Sequence, residues 1–172
     1  YRRYRDGVLR ESGIYAKGKR NSTFTEYYQD GVTPRKETPM QQGKIDGTVK
    51  TYFRNGKIEA EKEYKQSVES GRERRFDSKT GEQIFESHYI DGKKDGEEWE
   101  IFEDASTLRS RIIRHYRNGK LDGSYRVEST RDGKPYITIE GQYTDGEKSG
   151  QWIEHNYDNN TQTCTWHGEG GA

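Results

Sequence analysis

The chain has 172 residues, with 30 Lys and Arg against 30 Asp and Glu; this length fits one domain, and zero net charge removes the simplest footprint of a nucleic-acid binder. Leu, Ile, Val and Phe make up only 24 of the residues, about 14%, below the roughly 20% at which disorder becomes a serious alternative. Disorder also calls for high net charge, whereas here 13 Tyr, 3 Trp and 5 Phe recur at regular intervals, which predicts an ordered fold using aromatic rings where other proteins use leucine. No apolar run approaches the ~18 residues of a membrane span, and a single cysteine, Cys164, excludes an internal disulfide framework. The chain opens at Tyr1 among charged residues, which fits a cytoplasmic protein or an exported one whose targeting segment has been removed.

From the N-terminus onward, a pattern Tyr-x-x-Gly-Lys-x-x-Gly returns six times. It begins at Tyr15 (Gly18, Lys19, then Ser22), Met40 (Gly43, Lys44, Gly47), Tyr64 (Gly71 only), Tyr89 (Gly92, Lys93, Gly96), Tyr116 (Gly119, Lys120, Gly123) and Tyr143 (Gly146, Gly150). Spacings of 25, 24, 25, 27 and 27 place six modules end to end, with partial units before Tyr15 and after Tyr157. Residues 1–172 therefore read as a single repeat domain. Each module is read as two strands and two turns, the second turn falling about midway, as at Tyr28-Gln-Asp-Gly31, Phe53-Arg-Asn-Gly56, Phe76-Asp-Ser-Lys-Thr-Gly81 and Thr130-Arg-Asp-Gly133. Asn-Gly and Asp-Gly favour type I′ hairpins, which need positive φ at both central residues.

Between turns the residues alternate with period two. Ile58, Ala60, Lys62 and Tyr64 share one face against Glu59, Glu61 and Glu63, and Ile137, Ile139, Gly141 and Tyr143 repeat this against Thr138, Glu140 and Gln142. That is strand periodicity. Asp77 to Thr80 reads as a loop, Asp104 to Ile113 as the one candidate helical turn, and Pro34, Pro39 and Pro135 sit at turns or strand ends. The predicted architecture is all-β: an elongated single-layer antiparallel meander of repeated hairpins, about 12 strands and ~55 Å along the stacking direction. Tyr64, Tyr89, Tyr116 and Tyr143 should line one face, and Gly96, Gly123 and Gly150 should hold backbone conformations that a β-branched residue resists.

These glycines, aromatics and spacings resemble the MORN repeat, especially its bacterial variant with an Asn/Asp-Gly-Lys-x-x-Gly signature, as in Asn118-Gly119-Lys120-Leu-Asp-Gly123 and Asp91-Gly92-Lys93-Lys-Asp-Gly96. The resemblance covers roughly residues 4 to 157. It implies a single-layer antiparallel sheet serving as a binding or scaffolding element, and antitoxin-type bacterial members imply neutralisation of a toxin by binding it. One fold hosts many tasks.

Catalytic and metal chemistry finds little support in the residues. His88 and His115 each precede a repeat tyrosine and so fall two strands apart, ~9.6 Å by strand spacing, too far to share a zinc ion whose ligands lie ~2 Å from it. Cys164 and His167 are three apart, which in a strand points them to opposite faces. Asp-Gly turns supply neither an EF-hand nor a calcium nonapeptide, and no phosphate loop, dinucleotide fingerprint or nucleophile elbow is present. The chain is expected to be no enzyme, with no catalytic, cofactor or metal site. Asn21-Ser-Thr and Asn159-Asn-Thr are glycosylation-type triplets of a kind common by chance.

Charge is unevenly distributed. Residues 1 to 36 carry nine basic and four acidic side chains, and residues 140 to 172 six acidic and one basic. Such an asymmetry steers a charged partner or favours head-to-tail self-association. The leading expectation is a protein-binding module with contact residues Tyr89, Trp99, Tyr116, Tyr125, Tyr143 and Trp152, because Tyr and Trp combine large apolar area with a polar handle; a toxin is the preferred partner. The alternative is an anionic lipid surface met by Arg2, Arg3, Arg5, Arg10, Lys17, Lys19 and Arg20 at roughly 1 kcal/mol per charge. Single-stranded nucleic acid ranks third, since aromatics beside a basic groove are needed and the far end is acidic.

Overall fold

The computed structural model describes residues 1–103, 109–131, 134–156 and 160–168, and among these there is no helix. The strands are β1 (Arg2–Arg5), β2 (Val8–Ser12), β3 (Tyr15–Ala16), β4 (Lys19–Arg20), β5 (Thr23–Tyr27), β6 (Pro34–Gln41), β7 (Lys44–Ile45), β8 (Gly47–Tyr52), β9 (Ile58–Lys65), β10 (Val68–Phe76), β11 (Gln83–Ile90), β12 (Lys93–Lys94), β13 (Gly96–Glu103), β14 (Arg109–Arg117), β15 (Lys120–Arg131), β16 (Lys134–Thr144), β17 (Glu147–Asn156) and β18 (Thr161–His167). Sixteen of them form one antiparallel sheet in the order β1-β2-β5-β6-β8-β9-β10-β11-β13-β14-β15-β16-β17-β18, with β7 on β6 and β12 on β11, while β3 and β4 pair separately. This is the open hairpin meander expected from the repeat. Two compact units divide it: the first holds Tyr1–Ile84 and Tyr89–Gly92, the second Phe85–His88 and the residues from Lys93 on.

The two glycines of the repeat do different work. The first closes a tight hairpin with positive φ at both central residues: Asp91 and Gly92 at 48° and 78°, Asn118 and Gly119 at 50° and 86°, Asp145 and Gly146 at 52° and 96°. The second sits where the ladder slips. Gly47, Gly71, Gly96 and Gly123 have φ of 115°, 105°, 103° and 117°, and register shifts accompany Gly71 on β10 and Gly123 on β15. A side chain at such φ clashes with its own backbone. The slip also explains why the sheet has more strands than a dozen, since β7 and β12 end just before Gly47 and Gly96 and the chain resumes as β8 and β13.

Hairpin tips are tied to one another in series. In the first unit Gly43 N–H donates to Arg20 O (2.8 Å), Ser67 to Ile45 O (2.7 Å) and Gly92 to Glu69 O (2.8 Å); in the second, Gly119 donates to Lys94 O and Gly146 to Leu121 O, both at 2.8 Å. Each acceptor follows its own turn residue by two. Asn21 serves the same stacking, its Oδ1 accepting from Gln42 N–H at 3.0 Å.

Two turn expectations need correction. Two of the midway turns are not type I′: at Asp30-Gly31 and Asn55-Gly56 only the glycine has positive φ, because Asp30 Oδ1 accepts from Val32 and Thr33 and Asn55 Oδ1 from Lys57. These Asx bonds stabilise a turn closed from Tyr28 O to Gly31 N–H and from Phe53 O to Gly56 N–H. Conversely, the Tyr64 module has a full hairpin without glycine, Gln66 and Ser67 taking φ of 52° and 71°. Its neighbour holds it in place: Ile45 N–H donates to Ser67 Oγ at 2.9 Å and Gln66 Nε2 to Asp46 Oδ2 at 2.6 Å. Of the candidate helical turn, Arg109 to Ile113 belong to β14, and residues 104–108 lie outside the described residues, as do Asp132, Gly133, Tyr157 and Asn159.

The difference in φ gives a graded expectation. Gly123→Val should cost about 3 kcal/mol, since it combines φ of 117° with a Cβ 3.1 Å from His115 Cβ. Gly150, at φ 65° with nothing within 4 Å, should lose roughly 1–2 kcal/mol to valine and far less to asparagine. Thermal melts of the three variants check the order.

Candidate functional site

Hydrophobic burial is thin and distributed. In the first unit Phe24 and Val49 are buried; in the second, Phe85, Ile113, Val127 and Trp152. Gly13 and Gly141 leave room for the largest of these rings, since a Cβ there would lie 2.7 Å from Phe24 and 2.3 Å from Trp152. Cations cover aromatic rings from the position two after the turn glycine: Arg20 over Phe24 at 4.3 Å, Lys94 over Tyr116 at 5.0 Å and Lys148 over Trp152 at 4.1 Å. Their alkyl stems shield apolar surface while the charge stays near water.

In the second unit the expected contact residues divide between two faces. Pairing of Glu98 with Arg114, Arg114 with Tyr125 and Gly123 with Tyr143 puts Tyr116, Tyr125 and Tyr143 on one face. Trp152 joins them, its centroid 5.3 Å from Tyr125 and 5.2 Å from Tyr143, with Tyr125 and Tyr143 5.7 Å apart. Trp152 is only 5% exposed and its Nε1–H donates to Gln142 O at 3.1 Å, so this cluster acts first as core. Beside it Glu98, 1% exposed, pairs with Lys94 and with Arg114, whose Nε lies 2.7 Å away, and accepts from the Tyr116 hydroxyl at 3.4 Å. Burial raises the Glu98 pKa, but the bond and charge of Lys94 and the charge of Arg114 outweigh it, leaving the carboxyl below its ordinary value.

Trp99 pairs with Ile113 on the opposite face, and Arg111 lies 4.5 Å over its ring. There Ile153 pairs with Cys164 and Gln151 with Trp166. A shallow concavity of about 620 Å³ is lined by Ile113, Ile153, Trp166, His115, Arg126 and Glu140, among others. Trp166 is 57% exposed. It was not among the expected contacts because it lies beyond the last repeat; a tryptophan in an alternating uncharged stretch, Thr161 to Trp166, was the available signal.

In the first unit Tyr89 donates its hydroxyl to Glu73 at 3.0 Å beneath Lys62, 4.6 Å from the ring. Burial, then the Glu73 charge, pushes the Tyr89 pKa up to about 12. Tyr64 pairs with Glu69 on β10, so the strand between these two repeat tyrosines supplies carboxylates, and Lys62 bridges Glu69 and Glu73 at 2.8 and 3.0 Å. The expected row is thus interleaved with charge.

The seven basic residues also part company. Arg3, Arg5 and Arg10 line one cleft of about 930 Å³, which Arg35 and Arg54 join. Arg20 instead pairs with the buried Glu11 at 2.9 Å and covers Phe24. Lys17 and Lys19 are exposed on the β3–β4 hairpin and its turn, and Arg2 is exposed on β1.

The histidines make repeating structural bonds: His88 Nδ1 lies 3.2 Å from Glu97 O, and His115 Nδ1 3.2 Å from Ser124 O. His167 packs on Trp152 at 6.2 Å, on the face away from Cys164, which is exposed. Among the described residues no group of three or more His, Cys, Asp or Glu side chains is placed to hold a metal ion. No protein-family model matches the chain, and no curated protein matches it.

Proposed function

We propose that this chain is a non-enzymatic protein-binding module, and that its partner meets the concave face of the second unit. The observation carrying this reading is Trp166, more than half exposed, which lines one concavity with Ile153, the buried Ile113 and the polar His115, Arg126 and Glu140. An exposed tryptophan in a partly apolar hollow with a polar surround is the usual composition of an interface anchor. Trp99 flanks the same face. Tyr116, Tyr125 and Tyr143 give the other face half-buried hydroxyl-bearing surface, and Tyr89 does the same in the first unit.

Resemblance to bacterial MORN-like repeats supports a toxin as that partner, neutralised by occlusion. Expected results are a stable complex with a toxic protein encoded beside this chain and protection of cells in co-expression. Trp166→Ala should weaken partner binding by about 2 kcal/mol, roughly thirtyfold, while moving the thermal midpoint by little because the ring is exposed. Unchanged affinity in that variant removes this face from the interface. Absence of any protective effect removes the toxin.

A further inference from the structure

The first unit gathers at one end of its strands a set of arginines that no sequence window contains. The cleft of about 930 Å³ is lined by five arginines, Arg3, Arg5, Arg10, Arg35 and Arg54, against the two carboxylates Asp6 and Glu26, with Tyr4, Tyr27 and Tyr28 among them. Its local charge is therefore +3. Arg35 is engaged by Glu26, Arg3 reaches Glu11 at 3.7 Å, and Arg5 lies 3.9 Å from Asp6 with both side chains more than four-fifths exposed.

Arg10 and Arg54 differ from these. Arg10 donates one bond, to Tyr28 O at 3.2 Å, and Arg54 lies 5.8 Å over the Tyr28 ring. Neither makes an ion pair within 4 Å among the described residues, although the Arg54 charge reaches Asp30, whose carboxyl is held below its ordinary value mainly by bonds from Thr33 and Val32. Tyr28 is itself fixed, its hydroxyl donating to Tyr52 O at 2.5 Å, so both guanidinium groups sit against one anchored residue. Arginine's planar fork suits carboxylates held two-pronged.

We propose that this cleft docks an acidic, extended segment of the protein partner, rich in Asp and Glu; this rests on reading the chain as a protein-binding module. Lining residues come from β1, β2, β5 and β6 and the turn after β8, consecutive neighbours in the sheet. Four strand spacings of ~4.8 Å make ~19 Å, the length of about six extended residues. A lone phosphate reaches one or two of these arginines, whereas a six-residue acidic segment spans them and lays its backbone along Tyr4, 55% exposed, and Tyr27.

The test is titration of the intact protein with a fluorescently labelled hexaglutamate peptide. Saturable binding is expected, weakened about tenfold by Arg10→Gln with Arg54→Gln. Lys17→Gln with Lys19→Gln removes the same charge from an exposed hairpin and should change binding by less than about twofold. Arg54→Gln alone, at an exposed turn position, should still weaken it several-fold, which covers the case in which the double variant folds poorly. Absence of saturable binding, equal weakening by both double variants, or displacement by inorganic phosphate or by anionic phospholipid vesicles at matched charge overturns the proposal. Once a protein partner is in hand, equal retention of it by wild type and by Arg10→Gln with Arg54→Gln sinks the cleft and leaves the binding-module reading standing; a chain that retains no partner at all sinks that reading instead.

Discussion

Glu98→Ala is expected to lower the stability of the second unit by about 3 kcal/mol, since removing one member of a buried charge cluster strands its partners. In a chain of this length that is roughly a 10 °C fall in melting temperature. Arg114 and Lys94 would lose their shared carboxylate, and the Tyr116 hydroxyl its acceptor. The pH dependence is a sharper readout. The folded carboxyl titrates below its ordinary 4.5, so its contribution is fully present above that value and is lost as pH falls through the lower folded value. Acid melts of wild type should therefore steepen below about pH 4.5, and Glu98→Gln should flatten that dependence. If the two acid profiles run parallel, the cluster is not contributing as charge.

Gly141→Val should cost at least about 3 kcal/mol by overpacking. Its φ lies outside the positive region in which backbone strain arises, so the effect is steric: a Cβ there sits 2.3 Å from Trp152 Cδ2 and 2.4 Å from Cε2, and that indole is held by two tyrosines and its own hydrogen bond. A double-mutant cycle isolates the contact. In a Trp152→Val background, valine at 141 should be tolerated far better, giving a coupling of ~2 kcal/mol. Additive losses would mean that the glycine is required for some reason other than the ring above it.

Much of this architecture was legible in the residues. Asp91-Gly92, Asn118-Gly119 and Asp145-Gly146 announced their hairpins because local φ preference and global fold agree there. Gln66-Ser67 was missed because its positive φ is imposed from outside, by Ile45 and Asp46 of the preceding hairpin. Asp30-Gly31 was read as the wrong turn because side-chain bonds of Asp30 compete with the I′ geometry.

The candidate surfaces were legible only in part. Arg3, Arg5 and Arg10 stand close together in the chain, whereas Arg54 is distant in sequence and reaches the same cleft only through the turn after β8. Arg20 is also near in sequence, yet its guanidinium is committed to Glu11 and Phe24. Aromatic counting favoured Trp152, whose ring is core, over Trp166, whose ring is exposed. Period-two alternation says which residues share a face but not which face is covered.

The claim that this sheet exists to bind another protein is tested most directly by affinity capture from the native host, comparing wild type with Trp166→Ala and identifying the eluate by mass spectrometry. The account predicts one stoichiometric protein retained by wild type and lost from the variant. An eluate holding only lipid, or no retained protein at all, would contradict it, and a protein retained equally by both would move the interface off the Trp166 face.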